Sequence, residues 1–330
     1  MSGAPIEPVT PAAEIALAAA PSARRGVIRE ALRTRPAAIV GIVLLTGIVL
    51  MAIFAPLIAP YSPTDQSGPV FQAPSGAHLL GTDDGGIDVL SELIYGARTS
   101  LTVGFAAAVI ATLIGGGTAI AAGYFGGTTD GVLMRITDYF LVIPDLVLMI
   151  VVAAIWGPSV FHVIVVIGIL LWTGTARIVR SQVKSVRERV YVKRARSLGA
   201  SHGRIVVQHV LPQVAPLIIA TTVLAIAIAV FDESALAFLG VGVPGVSWGT
   251  MLEFAYIRSA VINHFWWTFV PPGLAIALVI VACYLIGQAI EDALNPRLRV
   301  SHLSVRSWRY LANPLKAQAR TSADDDEGAS

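Results

Sequence analysis

Nine cations stand between Arg177 and Arg204, namely Arg177, Arg180, Lys184, Arg187, Arg189, Lys193, Arg194, Arg196 and Arg204, with Glu188 the only acid among them. Such a cluster is suited to docking, on a partner protein or on anionic lipid, because its charge is dense and carries no nucleophile. Three acids beside apolar runs form the second group: Asp145, Asp232 and Glu233. A carboxylate at membrane depth is costly and faces a cavity or a partner, unless it sits at a solvated helix end. On that basis the three are candidates for a translocation pathway. Catalysis finds no support, since no nucleophile is paired with a base. Gly115, Gly116 and Gly117 lack the Lys-Ser or Lys-Thr of a phosphate loop. Gly240, Gly242 and Gly245 spell G-x-G-x-x-G without the strand and the acid that a dinucleotide site needs. Cys283 is the single cysteine, so there is no internal disulfide, and no cluster of His, Cys and carboxylates at ligand spacing suggests a metal. A net charge of +2 gives no support for nucleic-acid binding.

The elements that must position these residues are membrane helices. The chain has 330 residues, of which 55% are hydrophobic and 13% charged. Its mean hydropathy is +0.73, too apolar for one soluble core. An all-α polytopic membrane protein is expected, with six transmembrane helices over 36–58, 101–123, 136–156, 160–175, 214–231 and 268–290, each near the ~20 residues that a span requires. Pro144 interrupts the third. Residues 1–35 read as a disordered leader with a basic end, 59–100 as an exterior loop, 101–296 as the core domain containing the loop 177–212, and 297–330 as a tail. Arginines before the first span and after the last place both termini in the cytoplasm, and the basic loop with them. On this parity Asp145 lies near the cytoplasmic entry, and Asp232-Glu233 end the fifth span on the outside. Trp248, Trp266 and Trp267 suit the membrane interface.

Inside the basic loop the spacing predicts a first helix over 191–199, with Ala195 facing outward and Gly199 closing it at positive φ. A second helical stretch is predicted up to Leu211-Pro212, where the next span begins. Ala195, Gly199 four residues later, and Leu211-Pro212 after a further fixed interval resemble the EAA loop of type I ABC importer permeases. Two more stretches, HLLGTDDGGIDVLSELIYGARTSL at 78–101 and DESALAFLGVGVPGVSWGTML at 232–252, resemble the dipeptide, oligopeptide and nickel group of that family. Where the family usually has Glu-Ala, this chain has Lys193-Arg194.

The resemblance implies a type I ABC importer transmembrane domain, whose loop helix seats in a cleft on an ATPase. The residues matching that coupling segment are Tyr191, Lys193, Arg194, Ala195, Leu198, Gly199, Ala200, Ser201, Leu211 and Pro212. It further implies a second homologous permease subunit, two cytoplasmic ATPase subunits holding ATP and Mg, and an exterior substrate-binding protein. No cofactor is expected on this chain, which would sit in the lipid bilayer of a bacterial inner membrane. Di- or oligopeptide cargo is expected, with nickel or another small solute as the alternative. An ion-coupled secondary transporter is the rival class, for which Asp145 is the one intramembrane acid in favour.

Overall fold

The computed structural model describes residues 36–294, with side chains to Asp292. The expected leader and the tail with its arginines lie outside the described residues. In chain order the helices are α1 (Pro36–Ile53), α2 (Ala55–Ile58), α3 (Val89–Phe125), α4 (Gly127–Val142), α5 (Asp145–Trp156), α6 (Val160–Arg187), α7 (Val190–Ser197) and α8 (His202–Ile205). A π turn over Val206–Val210 then leads into α9 (Leu211–Phe238), followed by α10 (Trp248–Ile257) and α11 (Trp266–Leu294). Among the described residues there is no strand, only one isolated bridge between Thr82 and Asp88.

Five helices are long and apolar enough to cross a membrane, and α4 with α5 makes a sixth if the bent pair counts as one span. The six expected spans are therefore five unbroken helices and one pair bent by 83°. Pro144 supplies the bend: its ring disfavours helical backbone at the preceding residue, and Ile143 is extended at φ −80°, ψ 128°.

α3, α6 and α9 form the centre, and α1 and α11 lie side by side against it. α1 is uncharged and apolar all round, yet buries only Ala38, Gly41 and Ala52, as befits a helix whose outer surface meets lipid. The most extensive contact is between α3 and α6, and it is close. A Cβ on Gly115 would stand 2.5 Å from the Trp172 carbonyl, and one on Gly168 would stand 2.7 Å from Ile110. With little hydrophobic drive between helices in lipid, small residues give the contact area that holds such a pair.

Several expected boundaries move. The second span starts at Val89, not at 101, because Asp88 caps it through the Ser91 amide and polar residues of its first turns are buried by tertiary partners. Residues 59–88 are held to that cap. The Asp88 carboxylate also pairs with His78 at 2.9 Å, and Asp83 accepts from the amides of Gly85 and Ile87. The fifth span runs past Phe231 to Phe238, and the outer segment after it contains α10, begun by a capping box of Ser247 and Thr250. Trp248 and Trp267 pack inside the protein instead of presenting their rings outward. Trp248 is fully buried and donates to the Leu93 carbonyl, and Trp267 donates to that of Thr82, while Trp266 alone of the three is exposed.

Candidate docking segment

The segment after α6 is built on its own small apolar cluster. Val192 of α7 is fully buried against Val183 and Val186 of α6, Ile205 of α8, and Val210 and Val214. Ala195, one turn on from Val192, packs on the same cluster together with Ala200. The outward-facing Ala195 expected from sequence is thus corrected to a half-buried residue. Its lack of a longer side chain is what lets α7 lie close to the bundle. The opposite stripe, Tyr191, Arg194 and Leu198, shares one helix face by i, i+3, i+7 spacing and is exposed. Leu198 is 87% exposed, an unusual position for a leucine with no partner.

α7 ends in a Schellman motif. The Gly199 amide bonds the Arg196 carbonyl at 3.0 Å, the Ala200 amide bonds that of Ala195 at 3.1 Å, and Gly199 adopts φ +80°. Ser201 then caps α8, accepting from the Arg204 amide. No second break follows at Leu211-Pro212. Pro212 sits in the first turn of α9, and the π turn before it carries the backbone through, so that His202–Phe238 is one helix of 37 residues. Sequence reasoning placed a boundary there because proline usually marks one.

The charges divide into engaged and free. Lys193 bonds Glu188 at 2.9 Å and holds that carboxyl below the usual carboxylate range. Arg194 has no ion pair among the described residues. Arg196 lies over the ring of Tyr124, 5.5 Å from its centroid, and the Tyr124 hydroxyl meets Nδ1 of His202 at 3.0 Å. Tyr124 is at the end of α3 and buried, so the docking segment grips the central helix directly. Arg180 and Lys184 both bond Asp130 of α4, the latter at 2.6 Å, and Arg177 bonds Asp138. Cations that the sequence offered as loop charge are here a clamp between α6 and the bent pair. Asp130→Asn is expected to lower stability by about 2 kcal/mol, as for a lost charged hydrogen bond, read as earlier thermal unfolding in detergent.

Of the three expected pathway acids, Asp145 and Asp232 lie near one another and Glu233 is enclosed. Asp145, at the first turn of α5, is exposed and within electrostatic reach of half-buried Asp232 on α9. Its helix packs, through Met149, on Val103 and Ala107 of α3, far along that helix from Phe125 and the docking segment. Asp145 therefore belongs to the end of the bundle opposite α7, not to the α7 end expected from parity. Glu233 is fully buried and lines no open mouth. Ser100 of α3 donates to it at 2.8 Å and Ser234 at 3.3 Å, and the Trp248 amide bonds the same Ser100 hydroxyl. This knot of α3, α9 and α10 was missed from sequence, because Ser100 and Glu233 are 133 residues apart. Among the described residues no group of three or more His, Cys, Asp or Glu is placed to hold a metal.

A bundle of membrane-length helices carrying one short two-faced helix at its end defines a polytopic membrane protein. The family described as binding-protein-dependent transport system inner membrane component matches residues 114–300, and the N-terminal TM domain of oligopeptide transport permease C matches residues 25–74. The dipeptide transport system permease protein DppC of Alkalihalophilus pseudofirmus is 38% identical over 275 residues, 81% of this chain and 88% of that protein. The oligopeptide transport system permease protein OppC of Bacillus subtilis is 36% identical over 270 residues, again 81% and 88%. The di/tripeptide transport system permease protein DppC of Pseudomonas aeruginosa is 37% identical over 271 residues, 78% and 88%. The chain belongs to the binding-protein-dependent transport permease family, and its fold is the type I ABC importer transmembrane domain.

Proposed function

We propose that this chain is one of two permease subunits of an ATP-driven importer of di- or oligopeptides. It forms half of the translocation pathway with a homologous partner, in a bacterial inner membrane with both termini cytoplasmic. Two cytoplasmic ATPases hold ATP and Mg and seat α7, and an exterior binding protein delivers the cargo. The observation that carries this reading is the two-faced α7: Val192 and Ala195 anchor it, while Arg194 and Leu198 stand out to solvent beside Tyr191, whose ring meets only the edge of His209. Peptide cargo rests on the relatives, each named for peptide transport.

Movement follows from the anchoring. When ATP draws the ATPases together, α7 is displaced, and Arg196, Tyr124 and His202 pass that displacement to α3 while the continuous helix through the π turn passes it to α9. ATP biases the switch only through unequal affinity for its two states. A Leu198→Cys variant, purified together with its ATPase subunits, should cross-link to an ATPase and not only to lipid. Cross-links confined to lipid reject the seat. Leu198→Ser is expected to weaken ATPase association by about tenfold, since burying a leucine contributes at least ~1.5 kcal/mol.

A further inference from the structure

We propose that the cavity enclosed by residues 59–88, the start of α3 and α10 is a binding site for one organic cation, an ammonium or guanidinium group held by Glu92 and Asp83. The cavity measures about 360 Å³, and Asp83, Asp84, Glu92, Thr250, Met251 and Phe254 line it.

Four acids meet at this corner, and three have partners. Asp88 is taken by His78 and Ser91. Asp84 pairs with Arg258 at 3.0 Å, and Asp83 holds the Gly85 and Ile87 amides. Glu92 has no hydrogen bond or ion pair from its side chain among the described residues, although it is only 8% exposed and faces the cavity. Asp83, Asp84 and Asp88 all repel it. A first-turn acid gains from the helix dipole, but an exposed carboxylate would gain as much without desolvation, so the dipole does not explain why Glu92 is buried. Burial and the neighbouring Asp84 also push Asp83 above the usual carboxylate range. Arg258, the cation paired at this corner among the described residues, is on Asp84 and leaves Glu92 and Asp83 uncompensated.

The walls indicate what kind of cation fits. No group of acids among the described residues is placed to ligate a metal ion. An exposed phenylalanine ring and a thioether beside the carboxylates suit a soft, weakly hydrated organic cation, which gains from an aromatic face as well as from charge. Such a group can arrive as the free amine of a small solute or as a lysine or arginine side chain of a docking protein.

The test uses the purified full chain in lipid nanodiscs, with n-butylammonium as the probe and n-butanol as its neutral counterpart, both followed by saturation-transfer NMR. Butylammonium is expected to bind and butanol not. Glu92→Gln should weaken butylammonium at least tenfold. Asp83→Asn, whose carbonyl still accepts from Gly85 and Ile87, should weaken it severalfold and serves if Glu92→Gln does not insert. Competition separates the sources. Displacement by a free dipeptide but not by its N-acetylated form assigns the site to a small amine, and displacement only by a capped lysine peptide assigns it to a docking side chain. Equal binding of amine and alcohol, no binding of either, or undiminished binding in both variants overturns the proposal. Because no transport is measured, such a failure leaves the permease reading untouched.

Discussion

Ala195→Asp is expected to abolish peptide uptake coupled to ATP hydrolysis, while the chain still inserts and the ATPases still turn over. Ala195 is half-buried against the Val192, Ile205 and Val210 cluster, where a carboxylate meets apolar side chains. Burying one unpaired costs about 2 kcal/mol or more, enough to lift an eight-residue helix off its seat but not to unfold a bundle of long spans. Ala195→Lys should do less harm, because its long stem can carry the charge out to water. Gly199→Val should resemble Ala195→Asp for a different reason. Nothing lies within 4 Å of a Cβ at Gly199, so crowding is absent, but φ +80° costs an L residue about 1–2 kcal/mol and a β-branched one more. Gly199→Asn, which tolerates that backbone, should keep most of the coupling. The readout is the ratio of peptide imported to ATP hydrolysed in proteoliposomes, and an unchanged ratio in both Ala195→Asp and Gly199→Val contradicts the coupling role.

Trp248→Ala is expected to cost more stability than any of the other substitutions, about 3–5 kcal/mol for emptying a fully buried tryptophan site. Its indole closes the corner between α3 and α10, donating to Leu93, while its amide shares Ser100 with Glu233. Removing the ring takes away this second hydrogen bond to the Leu93 carbonyl, which α3 already pairs within the helix, and leaves the space empty. Trp248→Phe refills part of the volume without the donor, so the difference between the two variants separates packing from hydrogen bonding, the latter worth about 1 kcal/mol. Thermal unfolding of the purified chain checks both, and unfolding of Trp248→Ala at the wild-type temperature would show that the corner carries no stability.

What could be read from the sequence follows from how local each signal is. The basic loop, its helix and the Gly199 stop are written in consecutive residues, and the structure shows them there. Pro144 announced an interruption, though not an 83° bend, because a proline marks where a helix breaks and not the direction in which the next one leaves. The onset of α3 at Val89 was hidden because Ser91, Glu92 and Ser100 are polar yet buried, each for reasons lying elsewhere in the chain. Two adjacent acids at 232–233 left a pathway mouth, a solvated helix end and a tie to a neighbouring loop open, and the distant Ser100, which also holds the Trp248 amide, shows Glu233 enclosed in such a tie. Proline at 212 signalled a boundary that the π turn removes.

That missing boundary has a mechanical meaning. The continuous helix from His202 to Phe238, which takes in the π turn and Pro216, runs 37 residues and about 55 Å, at a rise of ~1.5 Å per residue. Pivoted at its lower tip, it sweeps its far tip sideways by about 10 Å for every ~10° of tilt over that length. If the chain works as the proposed importer subunit, such gearing would turn a slight rocking at the α8 end into a much wider displacement at the Phe238 end, without any span having to melt.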